Sequence, residues 1–293
     1  MSTTIDLSNW MNLVSGSKKL SELSIPGTHD SGAKNPSSDA DRLTTQTRTI
    51  AEQLVDGTRF LDIRAAHKNN ELALYHESVS LNLTFQSVLN TCQTFLAAHP
   101  REAIIMSVKQ ETGPSGNTDD LSFQGRFNKY VTDSPAGLFY LQNAIPTLRE
   151  VRGKIVLFRR FQLTENSTVA LGINAYDHFP DDGTDTIAGP PELRIQDQYN
   201  QALHTRDDKW TEIKKLLKKA SEPGNPDVLF VNFASAAGIA NLVNHDFPSA
   251  VAADINPRLS SYLTSHSPGR FGIVITDFET AELNRVIVET GRV

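Results

Sequence analysis

Cysteine is nearly absent: Cys92 is the one thiol among 293 residues. That excludes an internal disulfide framework and any paired-cysteine redox or metal motif. Its setting, VLNTCQTFLAA, reads as an apolar helix, so Cys92 is expected as a small buried hydrophobe. No apolar run is long enough to span a bilayer as a helix. The opening residues, MSTTIDLSNWMNL, lack the basic stretch and apolar core of a secretory leader. The chain therefore reads as either a cytoplasmic protein or the mature form of a secreted one. Neither a GxGxxG nor a GxxxxGKS/T loop occurs, which argues against a nucleotide-binding open sheet. Repeats, low-complexity tracts and an evident linker are also missing, so a single domain over residues 1–293 is expected.

An excess of one charge is missing too. The 28 Lys and Arg against 34 Asp and Glu leave a net charge of −6. This balance argues against nucleic acid or a strongly anionic membrane as the main electrostatic partner, while leaving room for a local basic pocket. The hydrophobic fraction of 39%, with 17 Gly and 14 Pro, is ordinary for a globular chain long enough to bury a large core.

What is present is a recurring short run rich in Val, Ile and Phe. LSELSIPGTH, TRFLDIRAA, LALYHES, AIIMSVKQE, KIVLFRRF, PDVLFVNFAS and RFGIVITDFE are nearly continuous in apolar residues, as strands covered on both faces should be. In the first, Pro26-Gly27 reads as the stop of the strand. Helix-like segments lie between. TIAEQLVDG closes on Gly, and LTFQSVLNTCQTFLAAHP stops at Pro. DDLSFQGRFNKYV follows an acidic start, and DDKWTEIKKLLKKASEPG has an acidic first turn, a basic last turn and a Pro-Gly stop. NPRLSSYLTSH is a later candidate. Alternation of this kind gives a parallel α/β sheet, either a barrel or an open doubly wound sheet. Without a phosphate loop, the barrel is favoured.

In a parallel barrel, chemistry belongs at the C-terminal strand ends. Those ends read His29-Asp30, Asp62 and Arg64, His76, Lys109, Arg159-Arg160 and Asp277. In RFLDIRAA the two-residue period puts Phe60, Asp62 and Arg64 on one face and Leu61 and Ile63 on the other. Taken singly, each charge has an ordinary explanation: a structural ion pair, a capping histidine, a solvated strand end. Taken together, charges at the ends of apolar strands must form a paired network around something, because unpaired burial is costly. Two histidines supply a base and an acid near neutral pH. Asp30 and Asp277 can each hold one imidazole in its working tautomer, and Arg64, with Lys109, can stabilise growing negative charge. Base, acid and cation together suit transfer at a phosphodiester. Two His and several Asp can also ligate a metal, but Arg64 and Lys109 beside them would repel one.

These residues resemble bacterial phosphatidylinositol-specific phospholipase C over most of the chain. The motifs that carry the resemblance are SIPGTHDSG, RFLDIR, LYHES, FLAAHPREAIIMSVKQE, GKIVLFRRF, IQDQYN, LFVNFAS and GIVITDF, in that order. The resemblance implies a distorted, incompletely closed TIM-type (β/α) barrel and cleavage of phosphatidylinositol without metal or other cofactor. It implies His29 as general base, His76 as general acid and Arg64 on the phosphate. Asp30 would support the catalytic network, Asp277 would pair with His29, and Asp62 would position Arg64. Lys109, Arg160, Asp197 and Tyr199 would line the inositol pocket, Arg160 being preferred to Arg159 because it directly precedes the aromatic. The product expected is inositol 1,2-cyclic phosphate, released with diacylglycerol. A secreted monomer working at a membrane surface is the expected form, with no nucleic-acid partner.

One stretch departs from the family. After SGAKN the chain reads PSSDADRLTTQT, polar and free of tryptophan, where relatives often carry an apolar surface helix. Weak membrane insertion is therefore expected. GIANLVNHDFPSAV reads equally as an apolar rim or as a covered loop, and Trp210 is expected to pack on its helix rather than meet lipid. Two other readings stand beside this one: a metal-dependent glycerophosphodiester phosphodiesterase, and an inositol-lipid binding module without catalysis.

Overall fold

The structure, a computed structural model, describes residues 5–113, 120–164, 171–177, 179–223, 226–239 and 245–291. The first strand, β1 (Ser24–Thr28), is followed by a long β2 (Phe60–Lys68) and by a hairpin of β3 (Glu71–His76) and β4 (Val79–Thr84). Then come β5 (Ile104–Gln110), a short β6 (Phe139–Tyr140), β7 (Ile155–Arg160) and a short β8 (Ile173–Asn174). The chain continues with β9 (Gly183–Ala188), β10 (Glu192–Asp197) and β11 (Val228–Phe233). A two-strand pair, β12 (Gly238–Ile239) with β13 (His245–Asp246), precedes β14 (Gly272–Thr276).

Parallel pairing runs β7-β5-β2-β1-β14-β11-β10, so β1 closes against β14 and the sheet curls into a barrel. Among the described residues no strand pair joins the free edge of β7 to β10. The short β6 and β8 lie along the first edge, and antiparallel β9 along the second. This is the incompletely closed TIM-type barrel expected from the sequence.

Alternation decides what each strand buries. Ile25, Phe60, Ile105, Phe158, Val231 and Ile275 fill the interior, with Trp10 and Met11 of the 3-10 helix Leu7–Leu13 packed into the same cluster. Outward-facing Leu61, Ile63, Met106 and Leu157 meet α3 (Phe85–Ala98) and α4 (Phe123–Asp133). Cys92 lies in that layer, fully buried, its thiol pushed up to about 12 by burial. On the opposite side α6 (Arg206–Ser221), α7 (Pro248–Ser265) and α8 (Ala281–Thr290) form a second layer, in which Trp210 packs edge-on to Tyr262. The remaining helices are α1 (Ala40–Leu43), α2 (Ile50–Val55) and α5 (Leu148–Val151). Hydroxyl side chains of Thr49, Thr84, Ser122, Thr205 and Thr280 cap α2, α3, α4, α6 and α8, satisfying N–H groups that have no intrahelical partner.

Three sequence expectations are corrected, and one that had two readings is decided for Val251 in favour of burial. Pro26 and Gly27 do not end β1; they lie inside it, paired to Val274 and Ile275. Gly27 is there for close packing, since a Cβ would come 2.9 Å from Ile275 and 3.0 Å from Phe60. LALYHES is no barrel strand: β3 runs antiparallel to β2 as part of a hairpin. The helix expected near NPRLSSYLTSH begins earlier, at Pro248 in the first turn, and carries Pro257 in its interior. Val251, from the stretch read as a rim or a covered loop, is buried under that helix, while residues 240–244 of the same stretch lie outside the described residues.

Candidate active site

All of the candidate side chains converge on the C-terminal mouth of the barrel. They arrive there by different routes. His29 follows β1 directly, its N–H bonded to Thr276 O at 3.1 Å. Asp62 and Arg64 point inward from β2, as the two-residue period requires. Past Arg64, β2 overshoots the barrel and pairs with β3, Ala65 facing Leu74 and Lys68 facing Glu71. The hairpin thereby brings His76 back down to the mouth. Lys109 and Arg160 stand at matching positions of β5 and β7. Asp197 ends β10, and Asp277 follows β14. His29, Arg64, His76, Lys109, Arg160, Asp197, Tyr199 and Asp277 line one cleft of about 750 Å³.

The contacts among them are specific. Asp277 Oδ1 lies 2.7 Å from His29 Nδ1, and Arg64 donates to His29 Nε2 at 2.7 Å. Because a guanidinium only donates, Nε2 must accept, and the single proton of neutral His29 sits on Nδ1, facing Asp277. Burial and the Arg64 charge both hold the imidazole well below the usual histidine range. Burial likewise pushes the Asp277 carboxyl well up, against the pull of Arg64. His29 is thus poised as a neutral imidazole whose lone pair faces the cleft.

His76 Nδ1 lies 2.9 Å from Asp30 Oδ2, close enough for an ion pair once the ring is charged, though the pair is not aligned as a hydrogen bond. Asp62 is the hub below them. It accepts from Arg64 Nε at 3.0 Å, Arg160 Nη1 at 3.1 Å, Ser107 Oγ at 3.1 Å and the Asp30 N–H at 3.2 Å. Burial works to raise its carboxyl, but Arg64 and Arg160 together carry it far below the usual carboxylate range. Its charge in turn raises Arg64, against the effect of burial.

The other wall combines charged and aromatic side chains. Burial, with Arg64 next to it, lowers Lys109, whose Nζ donates to Glu111 Oε1 at 2.7 Å. Arg160 stacks 3.5 Å from the centroid of Phe179, and Phe233 meets both Phe179 and His29 edge-on. Arg159, one residue earlier, faces the other way and donates to Phe161 O at 2.6 Å. Tyr199 is 42% exposed on the cleft side, its hydroxyl donating to Asp181 Oδ1 at 2.8 Å.

The backbone shares in the construction. Asp30, Glu77 and Phe278 have φ values of 39°, 55° and 49°, and each directly follows His29, His76 or Asp277. Left-handed conformation at non-glycine residues is costly and persists only where the surroundings enforce it. Here Thr45 and Gln46 supply part of the enforcement. Thr45 Oγ1 donates to the carbonyls of His29 and Asp30, and Gln46 Nε2 to those of His29 and Thr276.

Sequence reasoning missed Thr45, Gln46, Ser107, Glu111, Phe179 and Phe233. Ser107 and Glu111 were within reach, because SVKQE puts them on the Lys109 face of the strand. Thr45 and Gln46 sit in a polar stretch with no periodicity, and nothing local marks them. Among the described residues no three His, Cys, Asp or Glu side chains converge in a metal-ligating group. The Arg64 guanidinium lies between His29 and Asp62, bonded to both.

Comparison with known proteins matches residues 23–161 to the family model described as phosphatidylinositol-specific phospholipase C, X domain. A 1-phosphatidylinositol phosphodiesterase of Staphylococcus aureus (strain Newman) is 32% identical, across 92% of this chain and 88% of the relative. The enzyme of that name from Listeria monocytogenes is 33% identical across 99% of this chain and 86% of its own. A crystal structure of a variant phosphatidylinositol-specific phospholipase C from Staphylococcus aureus superposes with a TM-score of 0.86 at 28% identity, covering 99% of both chains. The Listeria monocytogenes structure superposes with a TM-score of 0.78 at 29% identity, over 99% of this chain and 100% of the other.

Proposed function

We infer from its sequence and site that this chain, which belongs to the phosphatidylinositol-specific phospholipase C family and cleaves phosphatidylinositol, does so by paired histidine catalysis. The observation that carries the reading is that two histidines, each backed by a buried carboxylate, face one cleft with Arg64 beside the first of them. In this mechanism His29 Nε2 removes the proton of the inositol 2-hydroxyl, and that oxygen attacks the adjacent phosphorus. Asp277 holds the working tautomer and balances the imidazolium that forms. Arg64, aimed by Asp62, releases its contact with His29 and donates to a phosphate oxygen as negative charge grows. His76, with Asp30 behind it, protonates the departing diacylglycerol oxygen. The P–O bond to glycerol breaks as the P–O bond to inositol forms, giving inositol 1,2-cyclic phosphate. The substrate supplies its own nucleophile, so its proximity is built in. Hydrolysis to inositol 1-phosphate follows slowly, with water as nucleophile and the two histidine roles exchanged.

Lys109, Arg160 and Asp197 would bond the ring hydroxyls in this reading, and Tyr199 would cover an apolar face of the ring. Residues 1–293 would act as one catalytic unit, secreted and monomeric, meeting lipid at the cleft mouth. No helix among the described residues is long and apolar enough to cross a membrane. On one side of the mouth stands the short polar α1. Tyr176, 41% exposed, also lines the mouth, and Leu203, 73% exposed, directly follows Ala202 of its lining. That rim supports shallow contact with a bilayer rather than deep insertion. The test is turnover of phosphatidylinositol followed by phosphorus NMR, with and without excess EDTA. The cyclic phosphate should appear first and at the same rate in EDTA, also from short-chain soluble substrate. Loss of turnover in EDTA that calcium restores, or direct release of the linear phosphate, would overturn the mechanism.

A further inference from the structure

The wall behind Asp197 contains a charge that none of these roles uses. Lys209, in the first turns of α6, is fully buried. Its Nζ donates to Gln196 Oε1 at 3.0 Å. The same oxygen accepts the Gln198 N–H at 2.7 Å. Gln196 Nε2 donates to Asn232 Oδ1 at 2.8 Å and Phe233 O at 3.0 Å, and Asn232 Nδ2 donates to Ile213 O at 3.0 Å. Lysine, glutamine and asparagine thus tie α6 to the ends of β10 and β11, where the register against β9 shifts between Ile195 and Asp197.

A lysine is rarely fully buried without a paired acid, and among the described residues no carboxylate lies within ion-pair distance of Nζ. The acids whose charge acts on it are Asp197 and Asp277, both of the cleft lining, and Asp182, which pairs with His204 at 3.1 Å. We propose that Lys209 is a positioning residue for the substrate ring. It pins the turn that carries Asp197 towards Tyr199, and it keeps Asp197 an ionised acceptor when hydroxyl groups bind. The role rests on the reading that Asp197 meets the substrate. Electrostatics agree with the geometry. Burial pushes the Asp197 carboxyl up, Lys209 opposes this ahead of Arg160 and Arg64, and Asp62 adds to the rise. Burial brings Lys209 itself down to about 8 against the pull of those three acids.

The test is Lys209→Met, with KM and kcat for phosphatidylinositol measured from acid to neutral pH. KM should rise about tenfold, the cost of a weakened hydrogen bond to a charged acceptor, with kcat close to wild type. The rise should grow as pH falls, because Asp197 protonates sooner without its counter-charge. Adding Asp197→Asn should remove that pH dependence. A rise in KM that is uniform across pH, or one that keeps its pH dependence in the double variant, would show a merely structural lysine. If Lys209→Met does not fold, NMR titration of labelled lysine in Asp197→Asn decides. Lys209 should titrate lower than in wild type, and an unchanged titration overturns the proposal. This second readout needs no turnover, so it separates failure of the lysine's role from failure of the substrate assignment.

Discussion

At the N-terminal end of the barrel, all five N–H groups of Arg59 have partners. Nε donates to Glu102 Oε2 at 2.9 Å, and the two terminal nitrogens donate to the carbonyls of Leu54, Thr58, Leu7 and Ser8. Glu102 also accepts the N–H groups of Met11 and Asn12. At the C-terminal end, both oxygens of Asp30, one of Asp277, His76 Nδ1 and Arg160 Nε have no aligned hydrogen-bond partner among the described residues. The same barrel therefore buries one charge network that is closed and one that is left open. A closed network has nothing further to offer a ligand, and it locks the 3-10 helix under the barrel. An open network, held in place by an otherwise rigid fold, keeps hydrogen-bonding capacity for a substrate at some expense of stability.

The contrast can be broken from either end. The largest effect belongs to the open network: His29→Ala and His76→Ala should each lower turnover by roughly 10²–10⁴-fold, with an unchanged melting temperature. Near-normal activity in either would remove that histidine from catalysis. At the closed end Arg59→Met should do the reverse. It leaves Glu102 buried without its partner and should cost about 3–5 kcal/mol of stability by denaturant unfolding, with the activity of folded molecules retained. A smaller effect sharpens the picture of His29. Its titration lies well below the ordinary value of 6.5, so activity should fall only when acid protonates it, below that pH. Arg64→Gln removes one of the two main causes of the lowering. In its residual activity the acid limb should therefore move to higher pH, and a limb that stays put would mean another group controls it.

The sequence displays most of the open network because polar residues at the ends of apolar runs are a local signal. His29, Arg64, Lys109, Arg160 and Asp277 could all be found that way. The pairing among them could not be read from that local signal, and only the family resemblance implied that Asp277 meets His29 and Asp62 meets Arg64. Which aspartate meets which histidine depends on neighbours brought together from opposite ends of the chain, 248 residues apart for His29 and Asp277. Pro26-Gly27 shows the opposite failure. A local rule assigned a strand end, whereas the glycine answers to Ile275 and Phe60 across the barrel. β10 escaped notice because ELRIQD alternates polar and apolar residues instead of running apolar, and Lys209 looks like any lysine on an amphipathic helix.

The overshoot of β2 has a mechanical meaning. The proposed base is clamped into the ring of the barrel, between β1 and β14, and can shift only if the ring shifts. The proposed acid rides on a hairpin that is rooted on one side of β2 beyond the barrel proper and packs Leu72, Leu74 and Leu81 into the layer of α3 and α4. Lengthening, shortening or stiffening that arm would re-aim the acid while the base stayed where it is. The two halves of the proposed proton relay are thus mounted on separate supports, and evolution or design can adjust the second without rebuilding the first.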